Sequence, residues 1–109
     1  MRAKSFGKIA VPTPGTLVRL TTDIALRVAR LRFAVVIGET GRVFVGTAGM
    51  NTANRTGLIN DFCPAGAGRG VADQIDIAAI DNRQLLVPAD YYIDANTANE
   101  GLIASYWSW

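Results

Sequence analysis

Asp90 and Asp94 stand four residues apart in the run Asp90-Tyr91-Tyr92-Ile93-Asp94. On an extended strand both carboxylates fall on one face, as the acid and base of a carboxylate-only hydrolase would require. Asp73 and Asp76 are a second pair of neighbouring carboxylates. Neither pair is joined by a further catalytic group, and the chain has no histidine. That absence removes the commonest general base at neutral pH and the usual partner of serine and cysteine nucleophiles. With Cys63 as the single cysteine, an internal disulfide and the common zinc frameworks are absent as well. The expectation is a protein that is not an enzyme, with no catalytic residues, no cofactor and no metal site.

Two shorter runs imitate ligand loops. Gly66-Ala67-Gly68-Arg69-Gly70 has the glycines of a phosphate loop but lacks the Lys-Ser/Thr that follows in a P-loop, so it reads as a flexible loop. The stretch from Asp94 to Glu100 clusters hard oxygen ligands. The fifth position of a calcium loop is here Ala98 and the sixth Asn99, so a polar connecting loop is expected instead. Asn54-Arg55-Thr56 matches a glycosylation sequon, which carries little meaning without a secretory signal, and Cys63 reads as a small hydrophobe.

What remains is chemistry of contact. Residues 1–42 carry eight Lys or Arg and two Asp or Glu, a net +6, whereas residues 43–109 carry three and seven, a net −4. Such polarity suits docking between copies of one chain or onto an oppositely charged neighbour. Without interleaved basic and aromatic residues, nucleic acid is not expected as a partner. No run approaches the ~18 apolar residues of a membrane span, and Gly7, Lys8 and Pro12 interrupt the amino-terminal apolar run, so a soluble protein made in a cytoplasm is expected. Arg30 and Arg32 share a strand face opposite Leu31 and Phe33, which makes them either a solvated face or a docking stripe.

The elements that must position these groups are strands, because the apolar period is nearly everywhere two. Residues 5–11 read as a strand closed by Pro12-Thr13-Pro14-Gly15, and residues 16–21 as a second. Residues 24–37 form the longest apolar run. Its alternation slips by one between Val28 and Leu31, which predicts a bulge or a corner between two sheets; a helix is the rival reading. Gly38-Glu39-Thr40-Gly41 predicts a hairpin turn returning into residues 42–47. Residues 49–57 read as an exposed loop, 58–62 as a strand, 63–70 as a loop and 74–80 as a strand facing inward through Ile75 and Ile77. After Pro88, Tyr91 and Ile93 oppose Asp90, Tyr92 and Asp94; in the last strand Leu102, Ala104 and Tyr106 oppose Ile103, Ser105 and Trp107. About eight short strands at this spacing predict an all-β protein, an antiparallel β-sandwich or jelly roll. Residues 15–109 form its single domain, and residues 1–14 an N-terminal arm or edge strand.

Two stretches together resemble a family. Phe33-Ala34-Val35-Val36-Ile37-Gly38-Glu39-Thr40-Gly41-Arg42-Val43-Phe44-Val45-Gly46, with Tyr92-Ile93-Asp94-Ala95 and Glu100-Gly101-Leu102-Ile103-Ala104-Ser105-Tyr106-Trp107, resembles small virion proteins of tailed bacteriophages. Those proteins carry an NTG-x-V-[YF]-V-G hairpin and a [IF]-Y-[IV]-D-A … G-E-G-V-x-V-x-Y ending. Glu39 departs from the frequent asparagine, and the tyrosine before the aspartate is shifted in register. The resemblance implies a structural protein of the virion without catalytic residues, foremost a head decoration or cement protein that binds the major capsid protein. A tail, neck or baseplate component that binds a receptor or glycan through Tyr92, Trp107 and Trp109 is the alternative.

On this reading the protein is a homo-oligomer, dimer or trimer, assembled in the host cytoplasm into the virion and having no contact with membrane. Lys4, Lys8, Arg30 and Arg32 are expected to face an acidic shell, with Tyr92, Trp107 and Trp109 as aromatic contact groups. Trp107 lies inside the last strand and is expected to be drawn into the core. Trp109 lies beyond it and is expected to pack against a neighbouring subunit or shell protein, since a large ring is costly to leave in water.

Overall fold

The computed structural model describes residues 2–36, 38–62, 74–81 and 83–108. The predicted loop at 63–70, Cys63, Asp73 and Trp109 lie outside them. Eight strands are present: β1 (Arg2–Val11), β2 (Val18–Arg19), β3 (Arg30–Val35), β4 (Val43–Asn51), β5 (Thr56–Phe62), β6 (Gln74–Ala78), β7 (Tyr91–Ala95) and β8 (Glu100–Ser108). They form two antiparallel four-stranded sheets, sheet A in the order β1-β8-β3-β6 and sheet B in the order β2-β7-β4-β5. Strands β1 to β4 pair in turn with β8, β7, β6 and β5. The chain is thus one long two-armed ribbon, rolled so that successive pairs land in opposite sheets, which is the jelly roll.

Alternation builds the core between the sheets. Leu31 and Phe33 of β3, Val43 and Val45 of β4, Ile93 of β7 and Leu102 of β8 are all fully buried there. Ile75 and Ile77 pack against this cluster from β6, as their spacing predicts. Tyr91 reaches inward to Phe33, with ring centroids 6.0 Å apart, and Tyr106 to Phe6 at 4.8 Å.

The slip at Val28 is a corner. Val28 makes an isolated bridge to Leu86, and regular pairing begins only at Arg30. Residues 24–27 are not strand: Ala25 N–H donates to the Asp23 carboxylate at 3.1 Å, an Asx turn that ends extended structure early. Sequence 49–57 is likewise not one exposed loop, because β4 continues to Asn51 and β5 starts at Thr56, with Met50 buried.

The expected hairpin at residues 38–41 is overturned. β3 pairs with β6 and β8, while β4 pairs with β5 and β7, so the Gly38-to-Gly41 segment crosses from one sheet to the other. Turn residues reverse a chain equally well inside a sheet or between sheets. What fixes the crossing is a reciprocal contact with the first two residues of β8. The Glu100 carboxylate accepts from Gly41 N–H at 2.7 Å and Thr40 N–H at 3.1 Å, and the Glu39 carboxylate accepts from Gly101 N–H at 2.9 Å. Gly41 and Thr40 N–H groups hold the Glu100 carboxyl below the ordinary carboxylate range.

Candidate functional site

Cross-strand partners point to the same side of a sheet. The register of sheet A therefore sets its outer face as three rows: Ala3, Trp107, Arg30 and Ala78; Ser5, Ser105, Arg32 and Asp76; Lys8, Ile103, Ala34 and Gln74. Ala3, Ser5, Ala34, Ala78 and Ser105 are the small side chains among them. The Arg32 guanidinium sits 5.1 Å from the Trp107 ring centroid, and its Nε and Nη2 donate to the two Asp76 oxygens at 2.7 and 3.0 Å. This bidentate bond holds the Asp76 carboxyl below, and the Arg32 guanidinium above, their ordinary ranges. Arg32 is thereby fixed over the indole, in a cation–π contact. Beside them lies a shallow depression of about 360 Å³ lined by Ala3, Lys4, Ser5, Arg32, Ser105 and Trp107.

Trp107 is not core. Leu102 and Ala104 set the inward phase of β8, Tyr106 continues it, and Trp107 must then point outward, where it is half-buried by Arg32 rather than by the opposite sheet. Ile103, on the same outer face, is 38% exposed.

The other expected contact residues divide. Lys8, Arg30, Arg32 and Trp107 share the outer face of sheet A. Lys4 pairs with Tyr106, in the opposite phase to Ala3 and Ser5, although it borders the same depression at the exposed end of the sheet. A bulge between Ser5 and Gly7, with Gly7 at φ +74°, changes the phase of β1 and separates Lys4 from Lys8. Tyr92 is on the outer face of sheet B, on the far side of the molecule.

Segment totals of charge also do not survive folding as a polarity. Two of the four ion pairs among the described residues, Arg32–Asp76 and Arg42–Asp61, join the basic segment to the acidic one, and the other two lie within a segment. Arg32 pairs with Asp76, Lys8 with Glu39, and Arg42 and Arg55 with Asp61. Arg30 carries no ion pair among the described residues, which makes it the open cation of the sheet A face.

The imagined carboxylate pair does not form. Asp94 is 5% exposed and its carboxylate accepts from Gly15 N–H at 2.9 Å and Ala95 N–H at 2.8 Å, pinning the Pro12-to-Gly15 turn, whereas Asp90 is exposed. Asp76 was absent from the expected contact set because strand pairing between β3 and β6 is not readable from either strand alone. Arg19, which faces Tyr92 across β2 and β7 with its guanidinium 5.8 Å from the ring centroid, was missed for the same reason. The chain matches no protein-family model, no curated protein and no solved structure.

Proposed function

We propose that this protein is a bacteriophage structural virion protein, a decoration or cement protein that docks on the head shell through the outer face of sheet A. The observation that carries the reading is that face itself, a low floor of Ala3, Ser5, Ala34, Ala78 and Ser105 from which Trp107 and Ile103 rise beside Arg30. Low side chains let a second surface approach closely, and Trp and Arg are the residue types that dominate binding energy at interfaces. The Arg32 contact holds the indole in place before docking, which lowers the ordering cost of binding.

Faces, not edges, are the available contact surfaces. The long edge strands β1 and β5 each carry a bulge, β1 bears Arg2, Lys4 and Lys8, and β5 bears Asp61, devices that discourage edge-to-edge pairing. A face of four strands spaced ~4.8 Å and about six residues long presents about 400 Å² in projection, below the ~800 Å² of accessible surface per partner of a stable complex. One copy would hold weakly. Many copies on one repetitive shell would sum by multivalency, and any copy bridging two shell subunits would oppose their separation.

Heating particles with and without the protein tests this. Wild-type protein is expected to raise the temperature of head disruption and Trp107→Ala to abolish the gain while remaining folded. Equal disruption temperatures for bare and decorated heads would reject the reading.

A further inference from the structure

The outer face of sheet B carries a second depression, of about 370 Å³, lined by Arg19, Thr47, Ala48, Ala89, Asp90 and Tyr92. Alternation in β7 sends Tyr91 inward and Tyr92 outward. Gly46 lies directly across from Tyr92 on β4, and Met50 and the Gly57 carbonyl occupy the place its side chain would take. Thr47 and Ala48 form one wall and the Pro88–Asp90 3-10 turn the other.

The polar groups here are only partly spent, the Arg19 guanidinium lying 5.8 Å from the Tyr92 ring centroid. Arg19 Nε donates to the Ala89 carbonyl at 2.6 Å, which orients the guanidinium and leaves its two terminal nitrogens without a partner among the described residues. The Asp90 carboxylate and the Tyr92 hydroxyl have no hydrogen-bond partner there either, and Arg19 and Asp90 line one cavity without pairing to each other. An anion at this place would meet the Asp90 charge, and a cation would meet Arg19. A hydroxyl is acceptable to both, because it accepts from a guanidinium and donates to a carboxylate. Two neighbouring hydroxyls on a ring answer both groups at once, and the ring's C–H face suits contact with tyrosine.

We propose that this depression is a binding site for a neutral sugar, with Asp90 and Arg19 holding adjacent hydroxyls beside the Tyr92 ring. The volume falls in the ~300–1,000 Å³ range of small-molecule sites and admits about one or two pyranose rings. An open, wet site of this kind binds on the order of millimolar. The two outer faces of a sandwich point in opposite directions. A copy docked by sheet A would therefore turn this site outward, and a head covered with copies would present an array of sugar sites. The site itself does not depend on the docking proposal, since it is complete in one chain.

Amide-shift titrations of the intact protein with D-galactose, D-mannose and N-acetyl-D-glucosamine, and with inorganic phosphate and lysine as charged controls, test it. Saturable shifts confined to Arg19, Thr47, Asp90 and Tyr92 are expected for at least one sugar, with a dissociation constant in the millimolar range. Asp90→Asn, an exposed change that leaves the other amide positions in place, is expected to weaken that binding at least tenfold. No saturable shift for any of the three sugars up to about 100 mM, equal shifts with phosphate or lysine, or an unchanged constant in Asp90→Asn would overturn the proposal.

Discussion

A Cβ placed on Gly101 would overlap the Ile9 carbonyl on the neighbouring strand. The backbones of β1 and β8 approach so closely there that only glycine fits, while the Gly101 N–H is turned toward Glu39. Gly101→Ala must push β1 away from β8 and is expected to cost about 1–3 kcal/mol, the range for overpacking, measured as a lower denaturant midpoint at unchanged m. Trp107 shows the other side of residue-scale reading. Its phase, opposite Leu102, Ala104 and Tyr106, was legible from alternation alone. Its place inside the last strand argued for burial, and phase prevailed because the inward row was already occupied. Arg32 was legible as an outward residue, but its partner Asp76 lies 44 residues away, and nothing in either local pattern names the other.

At the level of elements, periodicity identified most strands, including the inward Ile75 and Ile77 and the break at Val28. Connections were harder. Gly38-Glu39-Thr40-Gly41 carries turn chemistry without saying which sheet the chain enters next, and the answer depends on Glu39 and Glu100, which meet only after β8 has returned to β1 and β3. This corner has a pH signature. Glu100 is held below its unfolded range by the Gly41 and Thr40 N–H groups, so its contribution to stability is full above the unfolded value, near 4.5, and is lost as pH falls through the lower folded value. Thermal melts of wild type are therefore expected to fall between about pH 5 and pH 3 more steeply than those of Glu100→Gln, whose amide has no charge to lose. Parallel pH profiles would show that the clamp contributes nothing through its charge.

For the whole molecule, the rolled ribbon explains why a split of +6 and −4 along the chain does not become two charged poles. Arg32–Asp76 and Arg42–Asp61 join the two segments, so part of the complementarity that sequence offered to a partner is used within the fold. What stays outward is one face with Trp107, Ile103 and Arg30 on a low floor, and an opposite face with the depression at Tyr92. Adhesion by the first face would leave the second free. Imaging the intact virion at side-chain resolution tests the docking claim most directly. The expected result is regular copies over the head, with Trp107 and Arg30 buried against the shell protein. Copies confined to the tail, or a sheet A face open to solvent on every copy, would contradict it.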